Sequence, residues 1–286
     1  KILTELLLRI LISKMITCAI TGSKGVLGLK LKKKIPIKFY EFRGDIRDKN
    51  QVDKWIQKKN FDIFIHLAAL VPTNLVNQNY KKAYNVNVNG TNNIIRSLIK
   101  KKEKPKWFFF SSTSHVYKPL HKLKKIDEKS KLKPISKYGK TKLLAENLII
   151  NKLRKYSIKV CIGRIFSFTD KNQKIPYVIP SIKEKLKSPE KKIIFENMNH
   201  YRDFLNTNDI VSAINKLRIK SKEGIYNIGS SKKFYLKNIV KIFNTKKKIV
   251  IFKDYSKTTY LVSNNNKIKK LNWKPKKFNN DFKYFY

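Results

Sequence analysis

The first clear pattern along the chain is the apolar run Ile16-Thr17-Cys18-Ala19-Ile20, broken by three closely spaced glycines before helix-like spacing begins. Short apolar stretches and amphipathic ones then go on alternating. The spacing predicts strands over 35–42, 61–68, 106–111 and 159–166, and helices over 50–59, 87–102 and 138–155. Strands that alternate with helices belong to a parallel sheet covered on both faces, so the expected fold class is a doubly wound α/β sheet. Beyond Asp170 the alternation weakens, Pro176, Pro180 and Pro189 enter, and shorter segments follow at 193–196, 207–217 and 225–228. Residues 15–170 are therefore expected to form the main domain. Residues 171–286 are expected to form a smaller portion closing over the carboxyl ends of the strands, where open α/β sheets bind ligands. Residues 1–14 are read as an N-terminal extension without a catalytic role. Their apolar run is too short to span a bilayer and is interrupted by Glu5 and Arg9, and no small-residue cleavage site follows it.

The glycine segment, Thr21-Gly22-Ser23-Lys24-Gly25-Val26-Leu27-Gly28, has the spacing of a turn that cradles a pyrophosphate. Gly22 would let the chain turn, Gly25 would let the backbone approach the anion, and Gly28 would let the helix pack on the strand. A strand-to-helix turn with glycines also serves as a tight connection alone. Glu41, nineteen residues past Gly22, stands where a dinucleotide-binding unit of Rossmann type places an acid on the adenosine ribose. This favours NAD, while the nearby Arg43 keeps NADP open as a second choice.

Composition changes the picture in two ways. The formal charge is +47 over 286 residues, which would ordinarily raise nucleic acid as a partner. Lysine is spread along the whole chain rather than clustered, and arginine forks are few, so no specific nucleic-acid partner is expected and only non-specific adhesion at low salt. The two cysteines, Cys18 and Cys161, sit inside apolar runs, as buried thiols of a reducing compartment do; the expected location is cytoplasmic. No membrane span and no metal site are expected.

Tyr138 and Lys142 lie four apart on a predicted helix and share one face. In a chain this rich in lysine and tyrosine, about three such pairs arise by chance, but the helix follows Ser111-Ser112-Thr113-Ser114, at the carboxyl end of a strand. A phenol, an ammonium and a hydroxyl in one crevice suit removal of hydride from a secondary alcohol. The phenol takes the hydroxyl proton, and the ammonium favours the phenolate and lowers its pKa.

With these motifs in order, the sequence resembles the extended short-chain dehydrogenase/reductases, in particular the NAD-dependent nucleotide-sugar epimerase and dehydratase group. The resemblance runs from about Met15 to Pro275. Thr21 to Gly28 looks like the family's cofactor turn, Gly44-Asp45-Ile46 its adenine-contacting segment, and His66-Leu67-Ala68-Ala69 its strand beside the cofactor. Asn87-Val88-Asn89-Gly90-Thr91 resembles its helix-start element, Ser111 to Tyr117 its hydroxyl-bearing loop, and Tyr138 to Lys142 its active-site helix. Tyr201-Arg202-Asp203-Phe204 with Asp209, and Tyr226-Asn227-Ile228-Gly229, resemble its C-terminal signatures.

The resemblance implies Thr113, Tyr138 and Lys142 as catalytic residues. It implies cofactor contacts from Gly22, Gly25, Val26, Leu27, Gly28, Glu41, Asp45, Ile46, Leu67, Ala68, Ala69, Asn87, Ser111, Tyr138 and Lys142. Thr113, Ser167 and Arg202 would meet the substrate, with Arg202 on a diphosphate or, alternatively, bridged to Asp203 or Asp209. Ser114-His115 replaces the Asp-Glu pair of the sugar 4,6-dehydratases, which argues against dehydration; His115 is read as a structural hydrogen-bonding residue rather than a proton donor. Ser167 replaces an asparagine common in epimerases, Lys118 replaces the glycine usual after the Val-Tyr pair, and the segment from Gly28 to Asp45 is short, as in 4-keto-sugar reductases. The expected activity is a nucleotide-sugar epimerase. A 4-keto-sugar nucleotide reductase is the alternative, and a non-catalytic NAD-binding regulatory or RNA-associated protein is the reading from another class. Homodimers are common in the family.

Overall fold

The computed structural model describes residues 15–71 and 73–276. The extension read at residues 1–14 and the last ten residues of the C-terminal portion lie outside the described residues. Thr17–Thr21 forms β1, buried from its second residue on, and the glycine turn leads into α1 (Val26–Lys34). β2 is Lys38–Glu41, α2 is Lys49–Lys58 and β3 is Ile63–His66. β2 starts three residues later than its apolar pattern predicts because Ile35 still closes α1, its N–H donating to the Leu31 carbonyl at 2.9 Å.

Two short helices that the periodicity did not indicate, α3 (Thr73–Gln78) and α4 (Tyr80–Tyr84), come next. The helix expected over 87–102 opens as a π-helical turn, Asn85–Gly90, and continues as α5 (Thr91–Lys100). β4 (Trp107–Thr113) runs two residues further than expected, so Thr113 is the last residue of a strand. α6 is Lys137–Leu153, capped by Ser136, whose hydroxyl accepts from the Gly139 N–H at 3.0 Å. β5 is Lys159–Ile165.

The chain then leaves the sheet and returns to it through α7 (Thr207–Ile219) and β6 (Gly224–Ile228). The six strands are all parallel, in the order β6-β5-β4-β3-β1-β2. α1 and α7 pack together on one face, and α5 lies between α2 and α6 on the other. This is the doubly wound arrangement expected. Central strands with both faces covered carry apolar residues on both sides, as Phe108, Phe109 and Phe110 of β4 do, all fully buried.

The segment between β5 and β6 builds a separate small core. A helix at Val178–Lys187, the parallel pair Lys192–Glu196 and Ile249–Lys253, and a helix at Leu236–Phe243 share buried Ile182, Ile193, Phe195 and Ile239. A three-stranded ribbon of Phe234–Tyr235, Tyr201–Arg202 and Tyr260–Leu261 sets Tyr235, Tyr201 and Tyr260 in a face-to-face stack at 4.6 to 4.7 Å.

Candidate active site

The carboxyl ends of β1 to β5 open onto one cleft of about 1180 Å³, above the roughly 300–1,000 Å³ of pockets for single small molecules. The glycine turn borders it. Gly22 has φ of +72°, and a Cβ there would lie 2.6 Å from the Ala68 nitrogen. At Gly28 a Cβ would collide with the Gly22 carbonyl and the Ser23 backbone, so this glycine brings α1 against the turn. Gly25 differs: a Cβ would touch only the Gly22 oxygen, at 3.4 Å. Protein packing does not require glycine there, and the open space faces the cleft. No side chain caps α1 at Gly25, which leaves its first-turn N–H groups available to an anion. The cradle fits a diphosphate.

Val26, Leu27, Asp45, Ile46, Leu67, Ala68, Ala69 and Ser111 border the same cleft, as expected. Asp45 is tied to Arg47, whose Nε and Nη2 approach its oxygens at 2.5 to 3.0 Å, and this pairing holds its carboxyl below the usual range. Three residues expected on the cofactor, Glu41, Asn87 and Lys142, are not on the cleft wall. Glu41 pairs with Lys32 at 2.9 Å; the hydrogen bond from Lys32, with a further one from Ser23, lowers its pKa. Asn87 is buried and works as a brace. Its carboxamide accepts from the Leu70 N–H at 2.7 Å and donates to the Leu70 carbonyl and to Thr141 Oγ1, both at 3.0 Å.

Behind the wall runs a continuous chain of hydrogen bonds. Thr21 Oγ1 meets His66 Nδ1 at 2.6 Å, and His66 Nε2 meets Thr91 Oγ1 at 2.9 Å. Thr91 donates to the Asn87 carbonyl at 2.7 Å, so its oxygen accepts from Nε2–H and His66 is assigned the Nε2–H tautomer. Through Asn87 and Thr141 the chain reaches the carbonyl of Tyr138. The glycine turn and the tyrosine helix are thus joined by side chains as well as by the sheet.

Tyr138 stands on the cleft wall with Thr113, His115, Ser167, Tyr177 and Arg202. Its phenol is pushed up by burial, helped by Tyr177 and opposed by a hydrogen bond with Thr113. The His115 ring lies edge-on to Tyr138 at 6.0 Å and has no hydrogen-bond partner among the described residues. Burial, with Arg202 beside it, brings its pKa to about 4, so it stands neutral in the cleft rather than as a bonded loop residue.

Lys142, one helical turn beyond Tyr138, does not border the cleft. It is fully buried with its ammonium 4.0 Å from the centroid of Phe110, and burial lowers its pKa to about 7 against the pull of Glu146. The alternative bridge from Arg202 to Asp203 or Asp209 is not formed. Arg202 Nη1 donates to the Tyr201 carbonyl at 2.8 Å and to Thr259. Asp203 is engaged by Ser230, Ser231 and Ser263, and Asp209 by the Lys276 N–H.

Several residues of the site were not singled out in the sequence. Tyr177 and Gln173 border the cleft, and the Gln173 amide oxygen is buried without a hydrogen-bond partner among the described residues. Glu146 is buried beneath Lys142, accepting from Ser112 and paired with Arg164 at 2.7 Å. The signal for Glu146 was present: positions 138, 142 and 146 fall on one helix face.

A family model described as GDP-mannose 4,6 dehydratase matches residues 21–282. The chain belongs to this family, the extended short-chain dehydrogenase/reductases of the epimerase and dehydratase group. A Methanocaldococcus jannaschii protein provisionally named UDP-glucose 4-epimerase is 32% identical over 191 residues, covering 66% of this chain and 61% of that one. The matched stretch thus spans less than two thirds of that relative. Two solved structures share the fold closely. RMD from Pseudomonas aeruginosa complexed with NADPH has a TM-score of 0.83 at 18% identity, covering 92% of this chain and 95% of that one. The Thermus thermophilus UDP-glucose 4-epimerase complex with NAD has a TM-score of 0.82 at 18% identity, covering 93% and 96%. Among the described residues no helix is long and apolar enough to cross a membrane.

Proposed function

We propose that this protein transfers hydride and proton at a hydroxyl or keto carbon of a nucleotide-linked sugar. The observation that carries this reading is the Tyr138 phenol, buried at the cleft wall that Thr113 also lines. The glycine turn would hold the diphosphate of a nicotinamide dinucleotide, with Ile46, Leu67, Ala68, Ala69 and Ser111 along its length. When bound, that dinucleotide accepts or supplies the hydride; it is restored within each turnover of an epimerase and consumed by a reductase.

Tyr138 exchanges the proton with the sugar oxygen, and Thr113 orients that oxygen. A phenol raised by burial is a poor base at neutral pH unless a cation stabilises the phenolate. Lys142, whose pKa near 7 lets it carry or release a proton at neutral pH, is the cation one turn away. Arg202, brought down to about 10 by burial and paired with no carboxylate among the described residues, suits the substrate diphosphate. Ser167 and His115 are the polar groups left for the sugar. The epimerase expectation and the 4-keto-sugar reductase use the same residues, and both have support: the relative bearing an epimerase name for the first, the short segment before Asp45 for the second. The Asp-Glu pair of the dehydratases is absent from positions 114 and 115, so dehydration is not proposed.

Tyr138→Phe tests the assignment. Turnover of the nucleotide sugar is expected to fall by at least about 100-fold while dinucleotide affinity stays near wild type. A variant turning over at the wild-type rate would remove Tyr138 from the chemistry.

A further inference from the structure

We propose that Gln173 is a specificity residue, its carboxamide accepting a hydrogen bond from a hydroxyl of the bound sugar other than the reacting one. This rests on the nucleotide-sugar reading above. The turn at 171–176 inverts the usual placement of side chains. Lys171, Asn172, Lys174, Ile175 and Pro176 are exposed, Ile175 at 62%, while Gln173 among them is buried, at 7%. Its Oε1 has no hydrogen-bond partner among the described residues. An amide buried without a partner opposes folding, so neither apolar burial nor an internal bond accounts for the side chain turning inward.

The turn is held by other groups. The Gln173 N–H donates to the Asp170 carbonyl at 3.0 Å, the Asn172 N–H donates to Asp170 Oδ1 at 2.9 Å, and the other Asp170 oxygen lies 4.0 Å from the Lys30 ammonium of α1. What the Gln173 side chain meets is the cleft. It borders it on the same segment as Ser167 and Tyr177, and Tyr177 is near enough to the Tyr138 phenol to help raise its pKa. The glutamine therefore belongs to the wall that faces the reacting sugar. The terminal torsion of a glutamine is soft, so the carboxamide can present its oxygen to a ligand. A sugar hydroxyl supplies the missing donor. A wall built to bond a hydroxyl rejects the analogue that lacks it, because the amide is then left unpaired; the substrate class is a sugar that keeps its hydroxyl at this position rather than a deoxy form.

The test compares the full chain with its Gln173→Met variant, an apolar side chain of similar length. UDP-glucose, dTDP-glucose, GDP-mannose and their 4-keto forms are the probes, each with dinucleotide present, followed by the deoxy analogues of the one turned over. Gln173→Met is expected to raise KM for that nucleotide sugar by about tenfold, with kcat and dinucleotide affinity little changed. One deoxy analogue is expected to lose a similar factor in the wild type and nothing further in the variant. Thermal denaturation without ligand is expected to give the variant a midpoint no lower than that of the wild type, since no bond is lost. A wild-type KM, a lowered midpoint or weakened dinucleotide binding in the variant would overturn the assignment and leave the nucleotide-sugar reading standing. A wild type that turns over none of the probes would overturn both.

Discussion

His66 is an imidazole kept neutral by its surroundings. It is fully buried between two threonine hydroxyls, and burial with the nearby Lys142 charge lowers its pKa to about 3. The sign of the pH dependence follows. The unfolded chain takes up a proton at His66 near its ordinary value of 6.5, the folded chain only near 3. Stability is therefore lost as pH falls through that window, by at most about 1.4 kcal/mol per pH unit for one group. Urea denaturation at pH 7 and pH 5 is expected to show this slope, and His66→Gln to reduce it by roughly one proton; an unchanged slope would mean the imidazole is not held neutral. Residue identities at the turn were legible in the sequence because their demands are local: Gly22 needs positive φ and Gly28 needs closeness. The fate of Glu41 was not, because its partner Lys32 belongs to another element and is one of many lysines.

At the scale of elements, α6 carries Tyr138, Lys142 and Glu146 on one face, and its register against β4 and β5 depends on the last of them. Glu146 accepts from Ser112 of β4 and pairs with Arg164 of β5, whose Nη1 also reaches the Tyr117 hydroxyl at 3.0 Å. A buried pair adds little over an apolar core, yet removing one partner leaves a charge uncompensated. Glu146→Leu is expected to destabilise by about 3–5 kcal/mol, and Glu146→Leu combined with Arg164→Met to recover much of that loss. Equal effects of the single and double variants in chemical denaturation would show that the pair does not act as a unit. The main strands and long helices were readable from hydrophobic period alone. The short helices at 73–84 and the π-helical turn were not, since neither has a periodic apolar stripe long enough to register; tertiary bonds such as those of Asn87 to Leu70 and Thr141 fix them.

For the whole molecule, the cleft is walled by the central sheet on one side and by segments after β5 on the other, through Ser167, Tyr177 and Arg202. The order of motifs made the parallel sheet and its ligand edge legible. The return of 224–228 to that sheet beside β5 was not, because strand order is set by packing across the fold. The net charge of +47 is spread over the surface and predicts salt-sensitive adhesion to polyanions rather than a second specific function. The most direct test of the central claim is the near-ultraviolet absorbance of the protein carrying dinucleotide as nucleotide-linked sugars and their keto forms are added in turn. One of them is expected to make reduced nicotinamide appear or disappear in the wild type, and to leave Tyr138→Phe unchanged. Dinucleotide that binds but never changes redox state with any nucleotide sugar would contradict the account.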